Sequence, residues 1–151
     1  MTIPTPRSVL AALALMLTVA CNTPQSASNM SEPMQEGIAI QYLEIVTPEV
    51  DATCAALEKM HGVTFSEPDM GFGNARKAAL RGGGMIGVRG PMRPDEAPVV
   101  RPYLLVEDID GSVESAQAAG GKVAVPPMEI PGQGKFSIYL LGGIDHGLWK
   151  N

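Results

Sequence analysis

Near the front of the chain an apolar run, Val9 to Ala20, is broken only by Thr18, and a polar stretch follows it. From about residue 38 onward, apolar and polar positions settle into two alternating regimes. In YLEIV, from Tyr42, the two classes alternate, which is the period of a strand with one face buried. Thr47 and Pro48 then mark a helix start, with Thr47 as cap and Pro48 in the first position, where a missing N–H costs nothing. Val50, Cys54, Leu57 and Met60 recur at helical spacing until Gly62 stops the helix. The same succession returns after Arg101: an alternating strand, Asp108 as cap, a stripe of Ile109, Val113 and Ala116, and Gly120-Gly121 as the stop.

These two stretches are copies of one pattern. At a constant offset of 59, Tyr42 falls on Arg101, Glu44 on Tyr103, Glu49 on Asp108 and Gly62 on Gly121. The halves continue alike, GFGNARKAALRGGGMIGVRG from Gly71 matching GQGKFSIYLLGGIDHGLWK from Gly132, with Gly87 opposite Gly147. Each module therefore reads strand, helix, strand, strand, strand, over about 38–90 and 101–150. GPMRPDEAPVV, rich in Pro and charge, connects them. Gly82 to Gly84 lack a following Lys and Ser, so they read as a hairpin turn rather than a phosphate cradle.

The front of the chain belongs to another regime. One cation, Arg7, precedes an apolar run shorter than the ~20 residues a membrane-spanning helix needs, and the run closes in LTVAC. This describes a secretory signal peptide over residues 1–20, and the Ala20-Cys21 junction resembles a bacterial lipobox. Cys21 is expected to become a lipidated N-terminus that holds the protein to a membrane. Asn22 in place of Asp points to the outer membrane, facing the periplasm. Residues 21–37, polar and rich in Pro and Ser, read as a flexible tether, which leaves 38–151 as one domain. Loss of Arg7 with the leader takes the formal charge from −5 to −6, a balance that argues against nucleic acid. With Cys21 acylated, Cys54 has no disulfide partner; it sits on the apolar face of its helix as a core thiol.

A βαβββ module duplicated in about 115 residues, with YLEIVTPEV in the first copy and VEDIDGSVESAQAAGGKV and HGLWK in the second, resembles the vicinal oxygen chelate superfamily of glyoxalases, extradiol dioxygenases and bleomycin-resistance proteins. The similarity covers residues 38–150 and is greatest to metal-poor, glyoxalase-like members. It implies an α+β fold in which two tandem βαβββ modules form a half-open, eight-stranded β cup with the helices outside. It also implies that PPMEIPGQG, from Pro126, lies as a loop over the cleft or as a plain connector.

Metal-binding members take their ligands from the first and last strands of both modules. Carried onto this sequence, those positions are Tyr42, Gly87, Arg101 and Gly147. Neither glycine has a side chain to donate, and an arginine repels a cation, so no metal cofactor is expected. His146 neighbours Gly147, and alternation along a strand sends it to the opposite face, toward the helices. No other catalytic motif is present.

The same alternation places Tyr42, Glu44, Met85, Arg89, Arg101, Tyr103, Asp145 and Trp149 on the concave side. Of these, Tyr42, Glu44, Arg89, Arg101, Tyr103, Asp145 and Trp149 are the expected ligand-binding residues, rings beside mixed charge that suit a flat organic molecule with a polar edge. Glu44 and Arg101 are the expected orienting pair. The leading expectation is a metal-free, membrane-anchored binding domain for a small molecule. Two alternatives remain: a metal-dependent lyase or dioxygenase, and an envelope-interaction lipoprotein without a working pocket. A homodimer stays open as a further association.

Overall fold

The computed structural model describes residues 37–151. The expectations for the signal peptide, for Cys21 and for nearly all of the tether fall outside that span. Within it the chain runs β1 (Ile40–Val46), α1 (Val50–His61), β2 (Arg76–Ala79), β3 (Met85–Arg89), β4 (Val99–Leu105), α2 (Ile109–Ala118), β5 (Lys122–Ile130), β6 (Gly134–Leu141) and β7 (Ile144–Lys150). All the strands join one curled, unclosed sheet in the order β2-β3-β1-β4-β7-β6-β5. In each module the last strand runs parallel to the first: β3 beside β1, and β7 beside β4. The two first strands meet antiparallel at the centre, pairing Tyr42 with Tyr103 and Glu44 with Arg101.

The duplicated α+β architecture is the expected one, but the sheet has seven strands among the described residues, not eight. The first module lacks its strand after the helix. There Phe65 donates its backbone N–H to the Glu58 carboxylate at 2.8 Å, and its ring packs with Cys54, Ala78 and Val88 beneath α1. Only Ser66 reaches β2, through its N–H to Lys77 O at 2.8 Å, before Pro68 removes a donor from the chain. In the second module PPMEI is part of β5, not a loop. It is an edge strand, where prolines are tolerated, and its pairing with β6 slips between Val125 and Met128 to accommodate them.

Helix starts also differ from expectation. Val50 opens α1 with Glu49 as the capping position, and Thr47 Oγ1 accepts the Glu49 N–H at 3.1 Å in a turn before the helix. Spent on that turn, the Thr47 hydroxyl accepts no N–H from within the helix. Asp108 does cap α2, although its side chain makes no capping hydrogen bond. Gly62 ends α1 in the left-handed conformation, as its position required. Met60, expected in the buried stripe, is 65% exposed because α1 covers the sheet only through its earlier turns.

Each helix lies on the convex side over its own small core: Cys54, Phe65, Ala78 and Val88 under α1, and Ile109, Val113 and Leu148 under α2. The concave side holds a third cluster of Tyr42, Phe72, Ala75, Tyr103 and Trp149. Alternation along β1 produces this division, with Gln41, Leu43 and Ile45 turned away from the cup and Tyr42, Glu44 and Val46 buried on the other face.

Candidate functional site

The cup encloses a cavity of about 520 Å³, and all seven expected ligand-binding residues line it. Met85, placed on the same face, packs at the edge of the aromatic cluster and does not line the cavity. Glu44 is 6% exposed, Arg89 4% and Arg101 6%, so the cup floor is a buried charge network. Arg89 Nε donates to Glu44 Oε1 at 2.7 Å, while Arg101 Nη1 and the Tyr103 hydroxyl both donate to Oε2. The chain of charges continues at both ends. Arg89 grips Glu96 with two parallel bonds of 3.0 and 2.8 Å, and Arg101 holds Asp145 Oδ2 from Nε at 3.2 Å and Nη2 at 2.6 Å. The expected Glu44–Arg101 pair is therefore two adjacent members of a five-member series.

Burial opposes the charge on both guanidinium groups, but their carboxylate partners outweigh it and hold both above the ordinary arginine value. Hydrogen bonds from Arg89, aided by the Met92 N–H, pull Glu96 down to about 2. Burial, then the charge of Glu44, pushes both Tyr42 and Tyr103 well above the usual phenol range, so both hydroxyls stay protonated.

Above this floor the walls are aromatic. Phe72 stacks on Trp149 at 5.9 Å between ring centres, and Tyr42 and Tyr103 meet Trp149 at 5.8 and 6.1 Å in tilted and edge-on contacts. Phe136 closes the far side, edge-on to Tyr103. Two buried polar atoms, Tyr42 Oη and Trp149 Nε1, find no hydrogen-bond partner among the described residues.

The inherited metal positions are filled by rings. A Cβ on Gly147 would collide with the Tyr103 ring, and one on Gly87 with Tyr42, so each glycine is the slot in which a tyrosine lies. The remaining position, Arg101, is engaged with two carboxylates. These residues do not fit a divalent metal. Among the described residues no three His, Cys, Asp or Glu side chains come together as ligands either. His146 is on the helix side, stacked on Tyr139 at 5.2 Å, and Tyr139 packs against the α2 core.

Phe136, Phe72 and Glu96 are among the lining residues that the sequence did not single out. Phe136 has the inward parity of its strand, opposite Trp149, and alternation applied to β6 would have found it. Phe72 sits on a short 3-10 turn, Met70–Phe72, between two glycines, and only the flanking Gly71 and Gly73 hinted at a tight turn. Glu96 comes from the charged connector, which carries no period at all.

No family model matches the chain. Two curated mycobacterial proteins, CFP32 of Mycobacterium bovis and of Mycobacterium tuberculosis, each provisionally named a glyoxylase, are 31% identical over 98 residues. That alignment takes in 63% of this chain but only 37% of theirs, so the chain spans well under half the length of these relatives. Among solved structures, a methylmalonyl-CoA epimerase from Mycobacterium tuberculosis superposes with a TM-score of 0.60 at 12% identity, over 74% of this chain and 86% of that one. A hypothetical protein from Bacillus halodurans also reaches 0.60, at 9% identity over 77% and 96%. A Streptomyces coelicolor methylmalonyl-CoA epimerase in complex with 2-nitronate-propionyl-CoA gives 0.55 at 18% identity, over 75% and 94%. Identities this low speak for the fold alone. With the duplicated modules and the β1–β4 junction, they show that the chain has the fold of these proteins, and over 98 residues its sequence is similar to the two glyoxylase-named relatives, as the resemblance to the vicinal oxygen chelate superfamily led one to expect.

Proposed function

We propose that this protein binds a small organic molecule in the cup without a metal ion, and that binding rather than turnover is its task. The observation that carries the reading is a cavity of about 520 Å³ with aromatic walls, into which a floor of fixed charge and two unpartnered buried groups, Tyr42 Oη and Trp149 Nε1, are built. Buried polar groups without partners are costly, and a ligand with a matching polar edge would satisfy them. Binding is favoured over acid–base turnover by Glu44, whose two oxygens are both held by arginines. A metal-dependent lyase would need donors where this chain has Tyr42, Gly87, Arg101 and Gly147.

Trp149 is the sole tryptophan and lines the cavity, so it reports directly on occupancy. A panel of small aromatic compounds titrated against the full chain should include some that shift its fluorescence saturably, with no change on adding a chelator. A Trp149 silent across the panel, or a response that requires a divalent ion, overturns the reading.

We further propose that acylated Cys21 holds this cup at the outer membrane, facing the periplasm. The support is the sequence of the leader and the Ala20-Cys21 junction. A labelled fatty acid should mark the wild type and spare Cys21→Ser, whereas equal labelling of both sinks the anchor.

A further inference from the structure

We infer that the cup selects organic cations. This rests on the binding reading above and assigns it a ligand class. The floor contains three carboxylates, Glu44, Glu96 and Asp145, and two guanidinium groups, Arg89 and Arg101, all connected by hydrogen bonds. With every group ionised, that set carries one negative charge in excess. Two further cations stand outside this floor: Arg93 lines the cavity but is 72% exposed to water and pairs with Asp95 at 3.5 Å, and Lys77 pairs with Asp69 at 2.5 Å.

The excess can be located. Both oxygens of Glu44 and both oxygens of Glu96 accept bonds from arginines. Asp145 differs, because both of its hydrogen bonds end on Oδ2 and none reaches Oδ1. Its side chain is 31% exposed and lines the cavity, so it is the one carboxylate of the floor with an oxygen left to offer. The walls of the same cavity are rings, whose faces carry negative potential and attract cations. A monocation would neutralise the enclosed set, a neutral ligand would leave it at one negative charge, and an anion would double the excess. At the intermediate dielectric of a cavity half open to water, charge differences at this range shift affinity by about tenfold or more. The two spare N–H groups of Arg101 still leave room for a carbonyl on the same ligand.

Calorimetric titration of the full chain with three probes that share a naphthalene ring tests this: naphthylmethyl-trimethylammonium, the neutral naphthylmethanol and the anionic naphthalenesulfonate. The cation should bind about tenfold or more tightly than the alcohol, and the sulfonate least tightly. Asp145→Asn should erase the preference for the cation while keeping affinity for the alcohol. Should that variant fail to fold, Glu96→Gln removes one charge from the opposite end and should narrow the preference. Equal or tighter binding of the alcohol in the wild type overturns cation selection and leaves the pocket reading intact, whereas a preference that survives Asp145→Asn unchanged overturns Asp145 as its seat. Failure of all three probes overturns the pocket reading itself, and cation selection with it.

Discussion

The two modules share a backbone and divide the chemistry between them. Across the duplication Tyr42 corresponds to Arg101, Glu44 to Tyr103, Met85 to Asp145, Gly87 to Gly147 and Arg89 to Trp149. Only the glycine is common to both. Even there the use differs, since Tyr103 lies directly opposite Gly147, whereas Tyr42 pairs with Met85 and reaches diagonally to Gly87. A carboxylate of the first module is clamped between an arginine of its own module and one of the other. The strongest aromatic surface, Trp149, comes from the second. A symmetric scaffold thus carries an asymmetric site, because the central antiparallel register sets Glu44 of one module opposite Arg101 of the other, beside the Tyr42–Tyr103 pair.

The largest effect should come from the shared carboxylate. Glu44→Ala leaves two buried guanidinium groups short of a partner and should cost about 3–5 kcal/mol. Arg101→Ala should approach that value, while Lys122→Ala at an exposed site should stay within about 0.5 kcal/mol. Urea denaturation of the three variants decides it, and equal midpoints for Arg101→Ala and Lys122→Ala would mean the modules are not joined through charge.

The glycine slots come next. Gly147→Ala and Gly87→Ala should each cost about 1–3 kcal/mol through overpacking. Gly147→Ala should be the worse, because its new Cβ meets the body of a ring pinned directly opposite, whereas Gly87→Ala meets the tip of Tyr42. Thermal midpoints in the reverse order would break the assignment of Tyr42 and Tyr103 to unlike roles.

An acid titration sharpens the contrast at the connector. The Glu96 carboxyl is held at about 2 in the folded chain, below its ordinary value of 4.5. Its stabilising contribution is therefore complete above pH 4.5 and is lost as pH falls toward 2. Stability measured across that interval should fall more steeply in the wild type than in Glu96→Gln, and parallel curves would show that Glu96 does not brace Arg89.

The smallest effect belongs to the helices. Cys54 and Val113 are equivalent core positions of α1 and α2. Exchanging one for the other as Cys54→Val should change stability by less than about 1.5 kcal/mol. Burial raises the Cys54 thiol above its ordinary value, so a thiol reagent should label it only after unfolding. Rapid labelling of the native chain would show that α1 opens locally.

The sequence by itself determined the duplication, the strand and helix periods, and the inward parity of Tyr42, Glu44, Arg101 and Trp149. These follow from local rules: alternation along a strand and spacing on a helix. Only the tertiary structure decided that Glu44 bridges two arginines, that Glu96 and Phe72 join the cup from segments without a period, and that the first module forgoes a strand. Those features depend on contacts between residues far apart in the chain, and on competition between one backbone partner and another. Phe65 bonds to Glu58 where a strand would have bonded to a sheet, and no pattern confined to neighbouring residues records which partner wins.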